Sequence, residues 1–206
     1  MIDTLKKHRK FSEQKLLIGT QNSGKIKEFE TLLKPLNIQV ISLQNTNLDD
    51  PEETGETFLE NALLKAHYYS KFFRIPALAD DSGFCIDALD QKPGVYSKRF
   101  IDGLGGEKKT FKHLEMLLKN DKKSASMHCT LALAWPDGHA ETFEGVWSGD
   151  LVFPARYAKG SDAGFGVDPI FQPHGRTKTS SEEMAYKKTH SHRALALNKL
   201  FESCFK

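Results

Sequence analysis

Met127-His128-Cys129-Thr130-Leu131-Ala132-Leu133-Ala134-Trp135, then the turn Pro136-Asp137-Gly138, then Thr142, Phe143, Val146 and Trp147: this is the strongest β signal in the chain. Two apolar runs joined by a Pro-Asp-Gly turn describe a hairpin. A hairpin pairs its strands antiparallel, so a sheet that contains it is not purely parallel. Outward from it, short apolar runs alternate with helical spacing. Lys15 to Gly19 reads as a strand, and Ile26, Phe29, Leu32, Leu33 and Leu36 recur at helical intervals, with Pro35 near the helix end. Ile38 to Leu43 reads as a second strand. Phe58, Leu59, Ala62, Leu63 and Ala66 then share one helix face, with Glu56 and Glu60 in the first turns as the helix dipole favours. Ile75 to Ala79 runs into Asp80-Asp81 and a Ser82-Gly83 turn, with Phe84 to Leu89 as a further short strand. Phe111, Leu114, Leu117 and Leu118 mark another helix; Ser180 and Glu183 are spaced as a capping box; a last helix starts near Ser191. The fold class is therefore α/β, a mixed twisted sheet with flanking helices.

At 206 residues the chain suits one domain, expected over 15–206 as two lobes around a cleft, with 1–14 as a loosely held basic tail. Its formal charge of +2 gives no global pull towards nucleic acid, and no apolar run approaches the ~20 residues that span a bilayer. The start lacks the apolar centre of a signal peptide. Cys85, Cys129 and Cys204 are far apart and each sits in an apolar pattern, which reads as reduced core thiols in a cytoplasmic protein.

Asp80-Asp81 is the most informative pair for function. Adjacent acids at a strand end need a cation or proton to offset their burial, and carboxylate oxygens are the hard ligands that Mg²⁺ prefers. Strand neighbours point to opposite faces, so one acid is expected in the cleft and the other on backbone donors. Asp81, next to the turn, is expected to be the working acid. The turn Gly19 to Ile26 has the Gly-x4-Gly-Lys spacing of a P-loop, but Ile26 stands where a hydroxyl would ligate Mg²⁺. What survives is a phosphate cradle of Thr20, Gln21, Asn22, Ser23, Gly24 and Lys25 at a helix start. Asn61 and Lys65 are four apart and share a helix face, although a solvated face is the usual fate of such a charge run. Gly164-Phe165-Gly166-Val167-Asp168 is a tight loop offering an aromatic surface and a hydrogen-bond acceptor. Ser191-His192-Arg193 places donors at a helix start; His190 and His192 lack the partners of a zinc site.

In their order along the chain these segments resemble the inosine triphosphate pyrophosphatase family. The matching stretches are Thr20–Lys25, Glu53-Thr54-Gly55 through Asn61-Ala62, Ala79–Gly83, Pro93-Gly94 through Arg99, Gly164–Pro169 and Ser191–Arg193. The resemblance implies a two-lobed homodimer that hydrolyses ITP, dITP and XTP to monophosphate and pyrophosphate with Mg²⁺. It implies Asp81 as catalytic acid and metal ligand, Glu52 as second metal ligand, and Thr20–Lys25, Lys65, Ser82, Arg99, Phe165–Asp168, Lys187, His192 and Arg193 as substrate contacts. Val167 replaces the family's usual Tyr or Trp, and Tyr186 stands where an acid is common. Rival readings are a P-loop NTPase, disfavoured by Ile26, and a nucleotide sensor without turnover. A nucleic-acid module is weakest, with only the short basic run Lys6 to Lys10 behind it.

Overall fold

The sheet grows in two directions from β1 (Lys15–Ile18). On one side β2 (Gln39–Ser42) pairs with it in parallel, reached through helix α1 (Ser23–Leu33); on the other, β3 (Ala77–Ile86) pairs in parallel, reached through α2 (Phe58–Phe73). The crossovers β1–α1–β2 and β2–α2–β3 run in opposite directions across the sheet, so right-handed connections put their helices on opposite faces. Side-chain alternation follows: Leu16, Ile18 and Leu78 pack with Phe29 and Leu33 of α1, whereas Ala79 packs with Ala62 and Ala66 of α2. The computed structural model describes residues 7–34, 38–43, 48, 50–158 and 164–206. Pro35, Leu36, Lys6 and the residues 159–163 that precede the Gly164 loop lie outside them.

Beyond β3 the order continues through β5 (Ser124–Ala134), β6 (Ala140–Leu151) and β7 (Phe171–Pro173), each antiparallel to the last, and β4 (Lys92–Pro93) pairs with the end of β3. The expected hairpin is therefore present, and the sheet is mixed. α6 (His192–Leu200) joins α1 on one face, its Ala196, Leu197 and Leu200 entering the core with Leu131, Leu133 and Trp135. The far halves of the long strands build a second core with α4 (Glu107–Leu117), containing Phe84, Ile86, Phe111, Leu114, Met127, Trp147 and Phe171.

Three expectations are corrected. β3 does not break at Ser82-Gly83; both residues stay in register with Cys129 and His128 of β5. Gly83 is needed for close approach instead, because a Cβ there would fall 2.5 Å from Ser97 Oγ. The described part of the supposed tail is docked: Phe11 donates its N–H to the Cys204 carbonyl at 2.8 Å and packs near Trp135 and Phe205. The capping pair is shifted by one residue, since Glu182 accepts from the N–H of Thr179 at 2.9 Å while Glu183 pairs with Arg176. α5 (Met184–His190) begins only after both. The three cysteines are buried and unpaired by disulfides, as core thiols should be.

Candidate active site

β1 ends at Ile18, which pairs with Leu78, so β3 runs on past the end of its parallel neighbour. Because α1 and α2 diverge to opposite faces there, the carboxyl end of β1 opens a crevice between them, the switch point at which open α/β sheets bind ligands. Asp80 and Asp81 are the residues of β3 that emerge there, and strand alternation sends them to opposite sides.

Asp80 faces α1 and α6. Its Oδ2 is 2.9 Å from Lys25 Nζ and 3.0 Å from an Arg193 guanidinium nitrogen. Burial works against its charge, but Lys25, Arg193 and Lys65 outweigh that and hold its carboxyl far below the usual carboxylate range. Asp80 is thus held by side-chain cations, not by the backbone donors expected for the second acid. Arg193 also donates to Ser82 Oγ at 3.1 Å and pairs with Glu28. Glu28 in turn lies 2.8 Å from Lys187, whose ammonium reaches Asp168 at 2.6 Å. Asp168 further accepts from Ser180 Oγ at 2.7 Å and from the Phe165 N–H at 2.9 Å. Charges therefore alternate in an unbroken buried chain from Lys25 to Asp168. Lys187 and Arg193 are 3% and 1% exposed, so this chain consumes much of their charge internally.

Asp81 faces α2. Asn61 donates to its Oδ2 at 3.1 Å, and Lys65 Nζ lies 3.5 Å from Oδ1 and 2.6 Å from Glu53. Burial raises the Asp81 carboxyl and Glu53 adds to the rise, with Lys65, Lys25 and Asn61 opposing. Burial works against the charge on Lys65 too, but Asp81, Asp80 and Glu53 keep it above the ordinary lysine value. Thr57 caps α2 in a capping box with Glu60, which fixes the helix start from which Asn61 and Lys65 project.

The expected phosphate turn differs in detail. Asn22 caps α1, its Oδ1 accepting from the N–H groups of Gly24 at 2.9 Å and Lys25 at 3.1 Å, so two anticipated anion donors are already engaged. Gln21, Asn22 and Ser23 remain exposed at the crevice. Gly24 lets the turn meet the loop across the crevice: a Cβ there would lie 2.8 Å from the Phe165 ring. That ring also covers the Lys187 ammonium at 4.7 Å, and Gly166 N–H is anchored on Glu107 at 2.6 Å.

Some expected residues lie elsewhere. Glu52 is exposed, and the acid brought beside Lys65 and Asp81 is its neighbour Glu53; on an extended segment only one of two adjacent side chains turns inward. Arg99, on α3 (Ser97–Gly103), donates to the Glu53 carbonyl at 2.8 Å and so fastens the acidic loop of residues 50–56 that leads into α2. Val167 is buried in the second core with Ile170 and Phe171 instead of lining open surface. His192 is 3% exposed; burial, then Arg193 and Lys187, push its imidazole well below the usual value, so it is neutral at pH 7. Glu28 was not singled out by sequence reasoning. Its signal was the i,i+3 spacing from Lys25 beside Phe29, which puts an acid on the inward side of α1.

A model described as the Ham1 family matches residues 16–203. The chain belongs to the Ham1 family. A dITP/XTP pyrophosphatase of Ruegeria pomeroyi is 43% identical over 204 residues, covering 96% of this chain and 98% of the relative. One from Gluconobacter oxydans is 42% identical over 197 residues, covering 92% and 90%. Among solved structures, a HAM1 protein from Coxiella burnetii superposes with a TM-score of 0.80 at 36% identity, covering 91% of this chain and 96% of that one. The Staphylococcus aureus Ham1 protein gives 0.77 at 32%, covering 90% and 95%. The fold of this Ham1 chain, a mixed sheet with helices on both faces, is the one those structures share.

Proposed function

We propose that this chain hydrolyses non-standard purine nucleoside triphosphates, namely dITP, XTP and ITP, to the monophosphate and pyrophosphate, clearing them from the nucleotide pool. The observation that carries the reading is the Asp81 corner: a buried carboxylate with a raised pKa, held by Asn61 and Lys65, at the open end of β1. Full-length relatives named for this reaction support it.

The chemistry follows from the residue types. A triphosphate needs cations: Lys25 and Lys65 are the ammonium groups nearest the crevice mouth, and exposed Ser23 and Gln21 supply neutral donors. Asp81 orients the water that attacks the α-phosphorus and takes its proton. The donor set fits Mg²⁺, because the carboxylates of Asp81 and Glu53 flank one cation position, now held by Lys65 Nζ. Asp81 with the acids of the 52–53 pair would hold the metal. Bound there, Mg²⁺ would supply charge neutralisation of the phosphate oxygens. Phe165 would cover the base while the buried Arg193 and neutral His192 fix its orientation, favouring an O6 acceptor over the adenine amino group.

We further propose a cytoplasmic homodimer; among the described residues no helix is long and apolar enough to cross a membrane. The test is pyrophosphate release from ITP, XTP, dITP, GTP and ATP with Mg²⁺ and with EDTA. Metal-dependent release confined largely to the first three is expected. Orthophosphate release, or binding without turnover, would overturn the reading.

A further inference from the structure

The acidic loop that brings Glu53 to Asp81 is tethered from a place remote from both. Tyr69 lies on α2 one turn past Lys65, fully buried against Leu17, Leu43 and Ala77. Its ring rests on Gly19, where a Cβ would fall 2.6 Å from Tyr69 Cδ2, so the glycine exists to admit the ring. Gly19 is the last residue before Thr20, and its own N–H extends the β1–β3 ladder to the Leu78 carbonyl at 2.8 Å. At the other end of the side chain, the phenol donates to Asp50 at the start of the acidic loop. Burial and Asp50 both raise the phenol, which keeps it a proton donor throughout the working pH range. A second tether agrees with the first: Gln21, inside the phosphate turn, donates to the Leu48 carbonyl.

We propose that Tyr69 is a positioning residue that locks the phosphate turn and the acidic loop into one frame, its ring setting Gly19–Thr20 and its hydroxyl setting residues 50–53. It touches neither substrate nor reacting atoms. Its effect passes through Asp50 to Glu53, and from Glu53 to Lys65 and Asp81. This rests on the proposed function for its kinetic consequence but not for its structural one.

The experiment compares wild type with Tyr69→Phe, Asp50→Ala, the double variant, and Tyr68→Phe as control, since Tyr68 is the exposed neighbour. Hydrogen–deuterium exchange of the 50–57 segment is read beside kcat and KM for pyrophosphate release from dITP. Tyr69→Phe keeps the ring on Gly19, so thermal unfolding should move by only a few degrees. Exchange in 50–57 should rise about five- to ten-fold, the scale of one lost hydrogen bond, and kcat should fall by a similar factor with KM changing less. Asp50→Ala, which removes the acceptor, should do the same, and the double variant should be no worse than either alone. Unchanged exchange in 50–57 in an active Tyr69→Phe enzyme overturns the proposal. So does loosening spread evenly over the protein, which would make Tyr69 mere core filling. A wild type that releases no pyrophosphate would sink the functional reading, while exchange would still decide the tether.

Discussion

Neighbouring aspartates that look alike in sequence should respond oppositely to neutralisation. Asp80→Asn places an amide against Lys25 at 2.9 Å and Arg193 at 3.0 Å, in a site only 1% exposed. Removing one partner of a buried ion pair costs about 3–5 kcal/mol. Arg193 retains Glu28 and Lys25 is partly solvated, so the lower end, about 3 kcal/mol, applies. For a chain of this size that is a fall of roughly 6–12 °C in Tm. Asp81→Asn removes a charge that burial and Glu53 already disfavour, while Lys65 keeps Glu53 at 2.6 Å. Its stability should stay within about 1 kcal/mol of wild type, while turnover drops by roughly 10²–10⁴ with loss of the base.

The pH dependence carries the same signature. A depressed pKa at Asp80 means the unfolded chain binds its proton first, so its contribution is present above about pH 4 and is lost as pH falls towards the folded value. The raised pKa at Asp81 has the reverse sign: forming the charge costs stability as pH rises through the carboxylate range. Melting curves by circular dichroism from pH 3 to 8, with pyrophosphate assays at pH 7, test both. Equal destabilisation by the two substitutions, or a larger loss from Asp81→Asn, would refute the assignment of faces.

Further predictions follow from the same geometry. Glu28→Gln weakens the grip on both Lys187 and Arg193, and should cost roughly 2–3 kcal/mol and blur discrimination between dITP and dGTP, measured as the ratio of kcat/KM values. His192 is buried and neutral, with its pKa depressed, so its contribution to stability is full above about pH 6.5 and declines as pH falls, by up to ~1.4 kcal/mol per unit. His192→Gln should flatten that part of the stability–pH curve, and an unchanged slope would count against it. Glu53→Gln removes the charge paired with Lys65 and one of the carboxylates flanking the cation position, so the Mg²⁺ concentration needed for half-maximal pyrophosphate release should rise, read from a metal titration.

The sequence by itself determined the element types and the mixed sheet, because periodicity and turn chemistry are local. The Met127–Trp135 run could only be a hairpin strand, and Asn61 and Lys65 had to share a helix face whatever surrounded them. Alternation on a strand also separated Asp80 from Asp81 onto opposite faces, whatever each of them meets there. Tertiary structure alone decided what each charge meets. Ser82-Gly83 looks like a turn until α3 is packed against it, when the missing Cβ becomes room for Ser97. Whether Glu52 or Glu53 turns inward depends on Lys65 and on Arg99 holding the loop carbonyl, contacts 12 and 46 residues away in the chain. Spacing from Lys25 puts Glu28 on the inward side of α1, but its partners Lys187 and Arg193 reach it only through α5 and α6. Local pattern sets which face a side chain takes. The partner that makes a buried charge tolerable is set by crossovers that place distant segments at one strand end, and no local pattern encodes that.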